Sequence, residues 1–230
     1  MAGLTPRDQV KRAALRLFAR HGVDGVTVRR IAEACGQKNH AAVGYYFGSK
    51  DALVRELVTD GARVIDERRN AMLDRLEAGG RRPRIADIAA ALVEPSIGLA
   101  AAGEEEAYIR FIQMLMLNRR DLFMDALEGR WNSGYLRCLD HLRRLLPKLS
   151  PAMQNQRFVF IGAYLAGVLA LREAALGDRS RPHRLWDAPE TLADIIRTLT
   201  AILDAPAGDG PGAEAEATAA VVGSVGVILS

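Results

Sequence analysis

The sequence predicts an all-α protein in two parts: a three-helix head of helix-turn-helix type over residues 1–50, and a larger helical domain over 51–204. About nine helices are expected in total, followed over 205–230 by a flexible tail rich in Ala, Gly and Pro. Three observations lead there. Apolar residues recur three and four positions apart along most of the chain, the spacing that lines up side chains on one helix face. Hydroxyl side chains and prolines stand where these periods begin, and glycines where they stop. No stretch alternates polar and apolar residues convincingly enough for a strand.

Thr5-Pro6-Arg7-Asp8 supplies a capping hydroxyl, a proline suited to the first helical position and a carboxylate near the positive helix end. Val10, Ala14, Leu17 and Phe18 follow on one face, and Gly22 stops the helix. Thr27 caps a second helix carrying Val28, Ile31 and Ala32, which Cys35-Gly36 ends after about two turns. A third short segment runs from about Lys38 to Tyr45, close enough behind to cross the second steeply. Ser49 caps a long fourth helix with a stripe of Leu53, Leu57, Val64, Met72 and Leu76, up to Gly79-Gly80. Five more helices are expected at about 84–102, 104–117, 120–146, 151–176 and 189–204.

The formal net charge is +3, but its distribution is uneven. Residues 1–50 hold nine Lys or Arg against three Asp or Glu, and residues 51–230 hold twenty-two against twenty-five. The head therefore carries +6 and the remainder −3, as expected if one small module meets a polyanion, although a solvated basic face would look the same. Met1 to Arg7 lacks the apolar core of a secretory signal, and Cys35 and Cys138 form no C-x-x-C pair. A reducing cytoplasm is expected, with no membrane partner. The four histidines are scattered and no H-E-x-x-H, G-x-S-x-G or phosphate-loop pattern occurs, so neither an enzyme, a cofactor nor a metal site is expected. Glu104-Glu105-Glu106 is read as favouring a helix start through the dipole.

Thr27-Val28-Arg29-Arg30-Ile31-Ala32-Glu33-Ala34-Cys35-Gly36, followed by Tyr45-Tyr46-Phe47-Gly48-Ser49-Lys50-Asp51-Ala52-Leu53, resembles the DNA-binding signature of the TetR/AcrR family of transcriptional regulators. The likeness covers about residues 8–54. It implies a homodimeric, one-component regulator, most often a repressor, that leaves a pseudo-palindromic operator when a small effector binds. In such a head the third helix is the reader, because a helix fits the major groove and its early side chains reach base edges. Lys38 donates to guanine or phosphate, Asn39 either pairs with adenine or caps the helix, His40 donates to either kind of acceptor, and Ala41 allows close approach. The resemblance assigns Thr27 and Lys50 to backbone phosphates and gives Tyr45 a phosphate contact through its hydroxyl, with Tyr46 where relatives often carry His. Both tyrosines also suit a core. Arg29 and Arg30 are either phosphate contacts or a solvated face. Gly44 departs from the commonest pattern, which places a tyrosine there.

The C-terminal part carries no signature of its own. Ser150-Pro151 starts a helix whose stretch from Phe158 to Leu171 is apolar nearly all round, with small residues on one side. Phe160, Ala163, Gly167 and Ala170, together with Leu192, Ile195, Ile196 and Leu199 of the last helix, suit a four-helix interface in a two-fold dimer, with purely internal packing as the alternative. Phe111, Met114, Leu115, Phe123, Met124, Trp131, Tyr135, Cys138 and Tyr164 are bulky or soft, and line either an effector cavity or an ordinary core. Trp131, Tyr135 and Cys138 are expected on one helix face. The expected effector is apolar or aromatic. The competing reading is a helical ligand-binding or adaptor protein that no longer binds DNA specifically.

Overall fold

A computed structural model describes residues 5–36, 42–100 and 104–206. Among the described residues there are eleven α-helices, one 3-10 turn and no strand. The head consists of α1 (Pro6–His21), α2 (Val28–Ala34) and α3, described over Ala42–Phe47. The body comprises α4 (Lys50–Ala78), α5 (Ile85–Val93), α6 (Tyr108–Asn118), α7 (Arg120–Leu127), α8 (Ser133–Leu145), α9 (Pro151–Gly177), α10 (Arg184–Asp187) and α11 (Glu190–Asp204).

The caps read from the sequence form. Thr5, Thr27, Ser49 and Ser150 each accept a hydrogen bond from the backbone N–H three residues on, at 3.0–3.2 Å. Gly22 and Gly36, at φ 69° and 68°, turn the chain out of α1 and α2 in the left-handed region that a side chain would oppose. α4 is about 44 Å long at the usual rise per residue and touches α1 and α3 at one end and α5, α7 and α8 along the rest. The proposed boundary at residue 50 thus falls at the start of one rigid helix. α6 is the other link, packed between α1 and α9. Phe18 of α1 stacks on Phe111 of α6 with ring centroids 6.0 Å apart, so the cores of head and body are continuous.

Three element boundaries differ from expectation. The helix expected over about 120–146 is two, because Glu128, Gly129 and Trp131 take φ of 47°, 70° and 61° and reverse the chain between α7 and α8. Trp131 consequently stands in that turn, not on the α8 face that carries Tyr135 and Cys138. The helix expected over about 84–102 ends at Val93, where Pro95 withholds the N–H needed to continue it and a 3-10 turn follows. α10 is a single turn that no periodicity announced. The tail from residue 207 lies outside the described residues.

Two helices without a capping side chain of their own, α6 and α8, are capped from afar. α6 begins at Ala107 and α8 at Asn132, and neither residue caps its helix. Glu173 of α9 accepts from the backbone N–H of Ile109 at 3.0 Å and of Arg110 at 2.9 Å, which satisfies the start of α6. Asp66 of α4 does the same for α8, accepting from Gly134 N and Ser133 Oγ at 2.8 Å each. At the opposite pole, Arg157 of α9 donates to Leu203 O at 2.6 Å at the C-terminus of α11. Anions meet helix N-termini and a cation meets a C-terminus, as the helix dipole favours. Buried Arg157 and Glu173 also explain α9. By length and apolar composition this helix is able to cross a membrane, yet it holds charged groups inside the packed body.

Glu173 is 3% exposed, and burial pushes its carboxyl up to about 7, against the opposing pull of the two N–H groups and Arg110. Glu106 is the nearby like charge that also raises it. Unfolded, the group ionises near 4.5, so the folded protein holds an extra proton between that pH and about 7. The resulting stability is fully present below 4.5 and is lost as the pH rises through 7. Glu173→Gln carries no such charge, so in urea unfolding its stability relative to wild type should improve from pH 5 to pH 8 by about 2 kcal/mol. A pH-independent difference would show that Glu173 does not titrate in this window.

Candidate nucleic-acid interface

The basic residues of the head separate into two groups. Four of the five cations of α1 bind the body: Arg7 and Lys11 bind Glu56, Lys11 also binds Asp60, Arg12 pairs with Glu104, and Arg20 binds Glu105 at 2.7 Å. Arg119 adds a bond from the body to Asp24 at 3.1 Å. Much of the +6 counted in the sequence is therefore a strap between head and body, and the Glu104-Glu105 pair, read as dipole support for a helix, forms its other half. Charge composition could not reveal this, because partners more than forty residues apart leave no local pattern.

Those of α2 face outward. Thr27 is exposed at the N-terminus of α2 with its hydroxyl turned to Arg30 N. Arg29 is exposed and bonds Glu33 one turn later at 2.8 Å, a pairing weak enough at the surface to yield to a phosphate. Arg30, also exposed, donates to the His21 ring at 2.9 Å. In α3, Ala42 and Val43 are buried, which sets the helix on the head core, while Gly44 and Tyr45 face away from it. Tyr45 is 82% exposed, so of its two readings the core one does not describe it. Tyr46 is half-buried, edge-on to Tyr45 at 4.9 Å and to Phe47 at 6.3 Å. Lys38, Asn39, His40 and Ala41, the expected base readers, lie outside the described residues.

Lys50 has a part the sequence did not suggest. Its ammonium donates to the carbonyls of Val23 at 2.9 Å and Val26 at 3.2 Å, which ties the start of α4 to the loop between α1 and α2. One N–H remains for a phosphate.

Residues 12–57 match the family model described as "Bacterial regulatory proteins, tetR family". That stretch is the helix-turn-helix head, about a fifth of the chain. Its TetR-type head is 42% identical over 65 residues to the HTH-type transcriptional repressor AcnR of Corynebacterium glutamicum, a stretch that makes up 26% of this chain and 34% of that one. Over 61 residues it is 41% identical to the AcnR of Corynebacterium efficiens, again 26% of this chain and 32% of the relative. The matched stretch thus spans about a third of the length of these relatives. The crystal structure of Mycobacterium smegmatis AmtR superposes with a TM-score of 0.58 over 97% of both chains at 21% identity, a likeness of fold.

The C-terminal assignments divide on burial. Ala170, Ile195 and Leu199, expected at a dimer interface, are buried within the protomer, where α11 packs on α5 and α9. Leu192 and Ile196 are half-buried. Phe160, Ala163 and Gly167 remain on the outer side of α9 and are joined there by Leu171. Phe111, Leu115, Phe123, Tyr135 and Cys138 are core residues, each at most 1% exposed. Met114, Trp131 and Tyr164 are half-buried, and Met124 is at the surface.

Proposed function

We propose that this chain is a homodimeric, cytoplasmic transcriptional regulator, a repressor in its simplest form, that grips a pseudo-palindromic operator through two helix-turn-helix heads. One observation carries the reading. Four of the five α1 cations, Arg7, Lys11, Arg12 and Arg20, are bound to body carboxylates, whereas those of α2 and the Tyr45 hydroxyl face solvent around the helix pair, on the side a duplex would occupy. One head contacts few bases, so specific affinity needs two heads in successive major grooves, roughly 34–36 Å apart. The exposed apolar stripe on α9 suits the pairing that would hold them there.

An effector with an apolar or aromatic body fits the expected pocket region in the body. Two features support that. The Tyr135 hydroxyl and the Trp131 indole N–H are buried without a hydrogen-bond partner, and an acceptor on a ligand would satisfy either. Binding there bears on α4 and α8, and α4 reaches the head.

The reading is tested on DNA from upstream of the chain's own coding sequence, against random duplex, at several salt concentrations. A regulator shows specific binding that weakens steeply with salt, since each phosphate contact contributes close to one unit of log-log slope. Weak binding without sequence preference would instead favour the helical ligand-binding or adaptor reading. Lys50→Ala should lower affinity for all duplexes, flatten the slope by about one unit and loosen the head, whereas Asn39→Ala should chiefly relax base preference. Equal effects of both variants on specific and random DNA would contradict these roles.

A further inference from the structure

A cavity of about 360 Å³ lies where the head meets the body. Its walls come from three sources: Leu15 and Arg16 of α1, Leu57, Gly61 and Val64 of α4, and Leu99 with Tyr108 from the body. Its size lies within the range of small-molecule sites, which favour such domain junctions. Gly61 shapes the floor. A Cβ there would fall 2.1 Å from the Tyr108 ring, so the glycine lets the aromatic face lie flat across α4 while its hydroxyl donates to Val58 O at 2.8 Å. The result is an apolar slot with an aromatic base.

The charged residues of the lining are nearly all paired. Lys11 binds Asp60, Arg12 pairs with Glu104, and Glu105 binds Arg20 and Arg110. Arg16 alone among the lining cations has no carboxylate partner among the described residues. Tyr108 apart, the bulky residues expected around an effector pocket do not line this cavity.

We propose that the cavity is a second, separate binding site for a small amphipathic anion, an organic acid whose apolar body fills the slot and whose carboxylate meets Arg16. The site joins head to body, so an occupant bridges α1 and α4 beside the Arg12–Glu104 pair and fixes the angle at which the head is carried. Binding itself stands apart from any action on DNA, and its regulatory effect rests on the function proposed above.

The test is calorimetric titration of the intact protein with decanoate, with decyltrimethylammonium as the cationic counterpart. Decanoate should bind saturably, once per protomer, and at least tenfold more tightly than the cation. Arg16→Gln, at an exposed position, should weaken decanoate tenfold or more, and Val64→Trp should abolish binding by filling the slot. Circular dichroism confirms that both variants fold, and Leu15→Phe replaces Val64→Trp should the latter fail. Absence of saturable binding would overturn the site, as would equal affinity for the two amphiphiles or decanoate binding unchanged in Arg16→Gln. If the protein bound decanoate as expected but no DNA, the site would stand and the regulator reading would fall.

Discussion

Replacing Phe160 by glutamate is expected to convert the protein to monomers and to lower affinity for its operator by about a hundredfold or more, through loss of the second linked head. Phe160 is 53% exposed and Leu171 62% exposed, with Ala163 and Gly167 between them, so the outer side of α9 offers an apolar strip with space for close approach. Across a two-fold axis the strip meets its own copy, and a carboxylate introduced there faces a like charge on desolvated ground. Phe160 contributes little to the protomer core, so the monomer should keep its helicity. Sedimentation velocity reads the assembly state and fluorescence anisotropy the affinity. A variant that remains dimeric with full affinity would move the interface elsewhere.

Asp66→Ala should be the most damaging single change to stability, by about 3–5 kcal/mol, or a fall in Tm of about 10 °C or more. Asp66 is 6% exposed and holds the first turn of α8 through two hydrogen bonds. Its charge also favours the guanidinium of Arg69, which is fully buried and whose pKa burial pushes down. Arg69 donates to Ala91 O at 3.1 Å, so this stretch of α4 holds α5 through Arg69 and α8 through Asp66. Removing the carboxylate strips α8 of its helix start and takes a favourable charge away from the buried Arg69. Asp66→Asn keeps an acceptor for Gly134 N without the charge, so it should fall between the two in urea denaturation. Losses below about 1 kcal/mol for both would show that neighbouring groups already compensate.

The head was legible because its signals are local. Thr5, Thr27 and Ser49 announce helix starts within four residues, and Gly22 and Gly36 announce stops. The same holds for α9, whose Ser150-Pro151 start needs no distant partner. What escaped was long-range. Glu173 capping α6, Asp66 capping α8 and Lys50 binding the carbonyls of Val23 and Val26 link residues 24 to 68 positions apart, and no periodicity encodes such pairs. The break between α7 and α8 was missed because the apolar period continues across it, although Gly129 stood as a local warning. Burial on α11 misled for a related reason. An amphipathic stripe shows that Ile195 and Leu199 are covered, but not whether the cover is the same chain or a partner.

The account's central claim is that two heads held at a fixed distance read neighbouring major grooves. Hydroxyl-radical footprinting of the protein on its own upstream DNA tests it most directly. Two protected patches on one face of the duplex are predicted, symmetric about a dyad and centred about one helical turn apart. A single unpaired patch, or protection spread evenly along the fragment, would contradict it.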